Sequence, residues 1–309
     1  MRVANLAVVA PDKQLRRKKR LMAIVENGLP PFRHTLMDLI AILNNPSTDI
    51  RKAAAPIRMD PALTARVLQM CNSPLFGRHS RVISIEQAAA LLGAERLRSL
   101  AMTSALQGFV GQSLPKAQLN SFWRHSVLAA MLSRHLAEYF EYFEAEQAYI
   151  AGLLHDVGQV PQWKLVIEER IQDREDLRDD EWPDNPVIQR GCFGIDHCEL
   201  GSNMGQSWNL MPSLIDVLLK HHEPLEAHHD PYLVQIVAGV EHYLLMKERS
   251  KSVLLSSAIK KSHVPSQADI PAADERSRQP FSDKDWPVIA ETLDREFVRL
   301  LPLIETVSN

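Results

Sequence analysis

Apolar residues recur at helical spacing along most of the chain, and short polar or proline-containing segments separate the helical stretches. A stretch at 35–43 shows the i, i+3, i+4, i+7 pattern of an amphipathic helix, with apolar positions at Leu36, Leu39, Ile40 and Leu43. We find no run in which apolar and polar residues alternate as they do in a half-buried strand. The pattern therefore predicts an all-α fold.

Residues that favour helix ends set the predicted boundaries. Asp60 before Pro61 predicts a helix start, because Asp accepts hydrogen bonds from the first free amides and Pro fits the first helical position. Ser84 and Gln87 resemble a capping box, and Gly93 fits a left-handed position after a helix. Further helices are predicted at 49–57, 94–109, 119–141, 145–155, 196–209, 211–222, 231–248 and 283–304.

Changes in composition divide the chain into five predicted segments. A linker at 111–115 separates two helical lobes, an acidic stretch at 174–186 reads as an exposed loop, and residues 250–282 are rich in Ser, Lys, Pro and Asp. The five segments are a lead-in (1–28), an N-terminal helical lobe (29–112), a second helical lobe (113–248), a linker or poorly ordered loop (249–282) and a C-terminal helix (283–309).

Composition and charge narrow the classes of function. The 309 residues are 45% hydrophobic and 24% charged, and the net charge of −3 gives no general attraction to nucleic acid or to a membrane surface. No apolar stretch reaches the roughly 18 residues of a membrane span, and the N-terminus lacks the order of a signal peptide. We therefore expect a cytoplasmic protein with no membrane span, for which nucleic acid is a disfavoured partner.

Two smaller features have competing interpretations. The three cysteines form no disulfide framework and fit a reducing compartment; Cys192 and Cys198 could ligate a metal, but we favour their interpretation as small apolar filler. The basic run at 14–20 could contact an acidic partner, but we favour a solvated helix face or a frayed terminus.

Histidine and aspartate residues at several predicted helix positions suggest a metal site. The residues are His125, His155, Asp156, His197, His221 and His222. Metal sites built from helices need imidazole and carboxylate groups that converge from separate elements. An aspartate at a helix end could bridge two cations, and two such ions would activate water and neutralise a phosphate. We expect these six residues to share one polar cluster.

The segments that carry these residues resemble the HD superfamily of metal-dependent phosphohydrolases, and more closely its HDOD branch, the HD-related output domain of bacterial signalling proteins. In the N-terminal lobe the matching stretches are 29–31, 60–77 and 83–93; in the second lobe they are 122–125, 152–158, 196–201 and 221–224. The resemblance covers about 25–245 and implies an all-α, two-lobe HDOD fold, with an N-terminal helical bundle and an HD-type second lobe.

The chain departs from the catalytic pattern of this superfamily at two places. Gln159 stands where catalytic relatives commonly have a lysine, which would direct positive charge toward a phosphate. The superfamily also closes its metal site with an aspartate on a late helix, and the comparable stretch here offers Glu241 or His242 instead. Both departures argue against assuming turnover.

Two functions are therefore compared. The favoured hypothesis is a non-catalytic signal-transduction output or scaffold domain that binds a signalling protein or a ligand. The alternative is a metal-dependent phosphohydrolase or phosphodiesterase that acts on nucleotides or cyclic dinucleotides, with Asp156 essential to catalysis. A divalent cation (Fe, Mn, Zn or Mg) is the expected cofactor if one is held, and a metal-free protein is the other possibility.

Overall fold

The computed structural model describes residues 9–27, 54, 57–74, 81–169, 185–257 and 286–308. The helix predicted at 35–43 lies outside these ranges, as do most of the helix predicted at 49–57, most of the acidic loop at 174–186 and all but the first residues of the linker predicted at 249–282.

Within the described ranges the chain is helical and contains no strand, which confirms the predicted all-α fold. A short 3-10 turn at Pro224–Glu226 joins two of the helices. The α-helices are α1 (Pro11–Asn27), α2 (Pro61–Cys71), α3 (Ile85–Ser113), α4 (Lys116–Tyr139), α5 (Ala145–Leu154), α6 (Gln159–Glu168), α7 (Pro186–Phe193), α8 (His197–Ser207), α9 (Pro212–Lys220), α10 (Pro231–Ser257) and α11 (Trp286–Ser308).

The predicted capping residues act at the start of α2 and α3. The Asp60 side chain accepts hydrogen bonds from the backbone N–H groups of Ala62 and Leu63, both at 2.9 Å. Ser84 accepts from the backbone N–H of Gln87 at 3.1 Å. Gly93 has the expected positive φ of +81°, but its ψ of 168° lies outside the left-handed helical region. The chain therefore kinks at Gly93 and continues as helix to Ser113, so α3 occupies part of the predicted linker at 111–115.

Helix α4 is central to the packing that builds the site. It packs against α5, α10 and α11, and its buried side chains include Trp123 and Leu132. Gly152 of α5 faces α4 so closely that an added Cβ would lie 2.6 Å from the carbonyl oxygen of Ala129. This close approach brings the C-terminal end of α5 beside the middle of α4. The buried apolar side chains form one cluster that includes residues of both predicted lobes.

Helices α1, α6 and α7 lie where the sequence pattern predicted no helix. Helix α1 lies within the predicted lead-in and packs against α6, α7 and α8. Arg17 of α1 is 3% exposed, its Nε lies 3.1 Å from Glu169 Oε2, and its Nη1 donates to the carbonyl oxygen of Cys192. Arg20 is half exposed. The basic run thus has one solvated side, as expected, and one buried arginine that ties α1 to the rest of the fold.

Among the residues described, no helix combines the length and apolar character needed to cross a bilayer.

Candidate metal centre

Side chains from five parts of the fold converge at the C-terminal end of α5. His125 comes from the middle of α4, and His155 and Asp156 occupy the turn after α5. His197 is the first residue of α8, and His221 and His222 follow the last residue of α9. Glu241 comes from α10. We call these seven residues the donor cluster. The structure thus brings together all six residues proposed as a shared cluster.

One half of the donor cluster, which we call the first centre, is formed by His125, His155, Glu241 and Oδ2 of Asp156. His125 Nε2 lies 3.3 Å from His155 Nε2, and Glu241 Oε2 lies 3.1 Å from the former and 3.2 Å from the latter. Asp156 Oδ2 lies 3.5 Å from each of the two imidazole nitrogens. Both carboxylates therefore lie close to the same two imidazole nitrogens, and all four atoms are of the kinds that bind divalent ions.

The other half, the second centre, is formed by three histidines and Oδ1 of Asp156. His197 Nε2 lies 3.2 Å from both His221 Nε2 and His222 Nε2. Asp156 Oδ1 lies 3.3 Å from His197 Nε2 and 3.6 Å from His221 Nε2. Asp156 therefore offers one oxygen to each centre, the arrangement expected of a carboxylate that bridges two cations.

Glu241, and not its neighbour His242, occupies the place of the late acidic residue. The Glu241 carboxylate contacts both histidines of the first centre. The His242 ring packs edge-on against Trp286, with the ring centroids 4.9 Å apart. Within the continuous helix α10 adjacent residues point about 100° apart, and here Glu241 faces the cluster while His242 faces Trp286. Of the two residues that the sequence left open, Glu241 is therefore the one that faces the donor cluster.

Hydrogen bonds on the far side of three imidazoles fix the orientation of the rings. His155 Nδ1 lies 2.7 Å from the carbonyl oxygen of Gly152, and His221 Nδ1 lies 2.9 Å from that of Val217. His197 Nδ1 lies 2.7 Å from Oε1 of Gln189. Carbonyl oxygens only accept, so each Nδ1 carries the proton and donates it. In the neutral ring this leaves the Nε2 lone pair directed into the cluster, as metal ligation requires.

Burial and neighbouring charges shift the titration of the cluster in opposite directions. Burial, with a contribution from nearby histidines, lowers the pKa of His197 well below its usual value and that of His221 to about 4. Burial also lowers the pKa of His155, but the carboxylates of Asp156 and Glu241 outweigh it and raise that pKa. Burial raises the pKa of the Asp156 and Glu241 carboxyls, but the flanking imidazoles outweigh the effect of burial, so that both pKa values are lowered. The carboxylates are thus ionised and two imidazoles are neutral at neutral pH.

Two oxygens of the donor cluster lack the partners that burial demands. Oδ1 of Asp156 and Oε1 of Glu241 are buried and accept no hydrogen bond within the described part of the chain. Leaving a buried acceptor unpaired costs on the order of 1–3 kcal/mol, and more when the group is charged. A cation beside each carboxylate would remove this cost.

The distances between the donors also suit bound ions. Two nitrogen or oxygen ligands about 2.1 Å from one ion are about 3.0 Å apart at a right angle and about 3.4 Å apart at a tetrahedral angle. The donor separations given above for the two centres, from 3.1 to 3.6 Å, fall close to this range. The donor set therefore fits one divalent cation in each centre.

Two close contacts hold the segments that carry the donors. An added Cβ at Gly158 would lie 2.0 Å from the carbonyl oxygen of His197, so the turn after Asp156 is pressed directly against α8. Gln189 of α7 accepts at Oε1 from both the backbone N–H and Nδ1 of His197, and from Nε2 of Gln162. No local sequence pattern marks Gln189 as part of the site, because only the tertiary packing of α7 on α8 places it there.

The fold and the donor cluster define a class: an all-helical protein with a buried cluster of histidines and carboxylates that could hold metal ions. The family model of the HDOD domain matches residues 29–224, which is more than half of the chain. The chain therefore belongs to the HDOD domain family, as the resemblance implied.

Solved structures share this fold over nearly the whole chain. An HDOD domain protein with unknown function from Geobacter sulfurreducens is 25% identical, with a TM-score of 0.68 and coverage of 95% of this chain and 98% of that one. A candidate phosphohydrolase from Shewanella amazonensis SB2B is 21% identical, with a TM-score of 0.64 and coverage of 93% and 98%. At that identity the second likeness shows the fold alone.

A curated relative matches only part of its own length. An uncharacterized protein from Treponema pallidum is 27% identical over 199 residues, which are 63% of this chain and 38% of that protein. The chain thus spans about two fifths of the length of this relative.

Proposed function

We propose that this HDOD domain holds two divalent metal ions in the donor cluster and hydrolyses phosphoester bonds of nucleotides or cyclic dinucleotides in a signalling context. The observation that carries the proposal is the division of the Asp156 carboxylate, whose Oδ2 faces the first centre and whose Oδ1 faces the second. A hydrogen-bonded structural aspartate has no need to lie between two separate sets of imidazole nitrogens.

The residues of the donor cluster would divide between the two ions as ligands. His125, His155 and Glu241 would hold one ion, His197, His221 and His222 the other, and Asp156 both. Two such metal ions would lower the pKa of a water molecule bound to them and would neutralise charge on phosphate oxygens. The hydrogen bonds to Gly152, Gln189 and Val217 keep three imidazoles in the required tautomer, so little reorganisation is needed when ions bind.

The charge of the loaded cluster favours an anionic substrate. Two divalent ions carry four positive charges, and the carboxylates of Asp156 and Glu241 offset two of them. The remaining charge lies in a largely buried site, where electrostatic attraction is stronger than in bulk water. The His125 side chain is 18% exposed and His222 is half-buried, whereas His155 and His197 are fully buried. A substrate would approach on the side of His125 and His222.

A second candidate is the non-catalytic output domain favoured by the sequence. Gln159 supports it, because an amide in place of lysine supplies no charge toward a phosphate. The other reason for preferring this candidate was the altered late acidic position, and the contacts of Glu241 with His125 and His155 weaken that reason. We therefore place the hydrolase first.

The test combines metal analysis with turnover. Protein purified without a tag should contain close to two equivalents of Fe, Mn or Zn, and should hydrolyse at least one member of a panel of nucleotides and cyclic dinucleotides. Asp156→Ala should lose both properties, whereas His228→Ala, at an exposed histidine outside the donor cluster, should keep them. Stoichiometric metal without turnover across the panel would favour the non-catalytic candidate. Protein that binds no metal would overturn the proposal.

A further inference from the structure

Cys198 lies beside the second centre, although the sequence favoured its interpretation as apolar filler. It is the second residue of α8, directly after His197, and is 5% exposed. Its Sγ lies 3.4 Å from His197 Nε2. The sulfur and one donor atom from each of His197, His221 and His222 all lie within 4.8 Å of one another. The thiol therefore lies close to the three imidazole donors of the second centre.

The separation between Cys198 and His197 is that of two ligands to one ion. Zinc–sulfur bonds are about 2.3 Å long and zinc–nitrogen bonds about 2.1 Å, which places the two atoms about 3.1–3.6 Å apart for angles between square and tetrahedral. Oδ1 of Asp156 belongs to the same centre, and this buried oxygen has no hydrogen-bond donor among the described residues, which independently points to a cation beside it.

We propose that Cys198 binds the second metal ion as a thiolate, which rests on the proposed dinuclear centre. The ligands of that ion would be Asp156 Oδ1, Cys198 Sγ and the Nε2 atoms of His197, His221 and His222. On binding, the thiol releases its proton to solvent and a sulfur–metal bond forms, with no change in oxidation state. The position of Cys198 in the first turn of α8 favours the thiolate, because the N-terminal end of a helix carries partial positive charge.

The thiolate makes the two centres chemically unequal. The first centre has two imidazoles and two carboxylates, a set that accepts harder ions such as Mn²⁺ or Fe²⁺. The second centre has three imidazoles, one carboxylate oxygen and a thiolate, a set that selects Zn²⁺ and other ions with affinity for sulfur. The chain would therefore bind two different metals when both are supplied, and Cys198 would be the residue that separates their preferences.

A different role for the same contact makes the opposite prediction. If the thiol only donated a hydrogen bond to His197, the sulfur would remain protonated and no metal–sulfur bond would form. The two roles can be separated by spectroscopy, because Co²⁺ bound by a thiolate gives an intense sulfur-to-cobalt charge-transfer band in the near ultraviolet. Co²⁺ bound by nitrogen and oxygen alone gives only the visible ligand-field bands.

The experiment is cobalt reconstitution of the full chain after metal removal. The wild-type protein should show both kinds of band, Cys198→Ser should keep the ligand-field bands and lose the charge-transfer band, and Cys192→Ser should match the wild type. Competition between Zn²⁺ and Mn²⁺, followed by elemental analysis, should show at least a tenfold loss of zinc preference in Cys198→Ser alone.

Each outcome bears on a separate part of the argument. Ligand-field bands without a charge-transfer band in the wild type would overturn the role of Cys198 and leave the dinuclear centre standing. The absence of any cobalt spectrum would overturn both. A charge-transfer band that survives in Cys198→Ser and disappears in Cys192→Ser would show that Cys192 is the sulfur ligand, and the proposal for Cys198 would be wrong. Thermal unfolding of the metal-free variants would check that each one folds.

Discussion

Asp156 is the residue on which the two halves of the donor cluster depend. Its oxygens lie 3.3–3.6 Å from imidazole nitrogens of both centres, whereas Glu241 contacts the histidines of the first centre. Removing one or the other should therefore have different consequences for metal content.

We expect Asp156→Ala to reduce metal content from two equivalents to well under one, because each ion loses a ligand and the charge that offsets it. Glu241→Gln should lose the ion of the first centre and retain about one equivalent. Elemental analysis after gel filtration measures both. Equal losses in the two variants would contradict the assignment of Glu241 to a single centre.

Gln189 should act as a positioning residue for His197. Gln189→Leu removes the acceptor of the His197 Nδ1 proton, and the ring is then free to turn or to change tautomer. We expect a loss of about 10- to 100-fold in affinity for the second ion. Gln189→Glu keeps an acceptor oxygen and should restore most of the affinity, as measured by competition with a chelating indicator. If Leu and Glu variants bound the ion equally well, the hydrogen bond would have no positioning role.

Some of the site at this scale could be predicted from the sequence and some could not. The histidines and Asp156 were identifiable because they are metal-binding residue types in segments that resemble a known motif, and all but His125 lie at helix ends. The choice between Glu241 and His242 depended on the rotation of α10, which the sequence leaves uncertain by one residue. Gln189 depended on a contact between α7 and α8, and no local pattern records such a contact.

At the scale of the helices, the contact between the turn at Gly158 and α8 fixes the distance between Asp156 and His197. Gly158 has an ordinary helical φ of −65°, so glycine is needed there for space and not for backbone conformation. The Cβ of any other residue would lie 2.0 Å from one backbone atom of α8 and 2.6 Å from another, and backbone cannot yield as a side chain can.

Gly158→Ala should therefore destabilise the fold by about 1–3 kcal/mol or more and weaken metal binding. Gly191→Ala provides the matched control, because nothing lies within 4 Å of its added Cβ and alanine favours α7 by about 0.5–1 kcal/mol. Urea unfolding of both variants measures the difference. Equal stability of the two variants would show that α8 moves away at little cost.

Asp216 holds the segment after the 3-10 turn against α9. Its buried carboxylate accepts hydrogen bonds from the backbone N–H groups of His228 and His229, both at 2.6 Å. Burial raises the pKa of this carboxyl, but the two backbone bonds and the His229 side chain outweigh it, so the pKa lies below its ordinary 3.8. A depressed pKa means that the stabilisation is present above 3.8 and disappears as the pH falls through the lower value.

We therefore expect Asp216→Asn to lower the free energy of unfolding by about 1–3 kcal/mol at neutral pH. The difference from the wild type should shrink below about pH 4. Glu226→Gln, at an exposed acidic residue, should show little difference at either pH. Urea unfolding across this pH range measures the effect, and a difference that stays constant down to pH 2 would contradict it.

Helix boundaries show where sequence patterns succeed at this scale. The predicted starts at Asp60 and Ser84 are correct because the capping hydrogen bonds are local and depend on residues two or three positions away. Helix α7 was not predicted, although Asn185 caps it and Pro186 opens it; the loop predicted at 174–186 includes only its first residue. Helix α6 was missed, since only a short stretch with Val160 and Leu165 marks its buried side.

For the whole molecule, α1 lies outside the residues that match the HDOD family and yet is part of the core. Leu21 is fully buried, Val25 is 5% exposed, and Arg17 links α1 to both Glu169 and Cys192. Burial of an aliphatic side chain contributes about 1.5–3 kcal/mol. Loss of two such side chains would remove a large share of the 5–15 kcal/mol typical of a folded protein.

Deletion of residues 1–28 should therefore lower the midpoint of thermal unfolding and expose apolar surface on α6, α7 and α8. Leu21→Ala in the full chain should reproduce part of the loss, about 2–5 kcal/mol, while Leu15→Ala, at a half-exposed position, should change little. Differential scanning calorimetry measures all three. A truncated chain as stable as the full one would show that α1 contributes no net stability.

Because α1 contacts α7, the region that matches the family and the region that folds together begin at different residues. A family match records where related sequences can be aligned, and here it begins at residue 29. We expect the cooperative unit of folding to begin earlier, because α1 is anchored to the segments on both sides of residues 170–184. Expression of the aligned region alone would therefore yield a fragment, and inactivity of that fragment would say nothing about the chemistry of the intact protein.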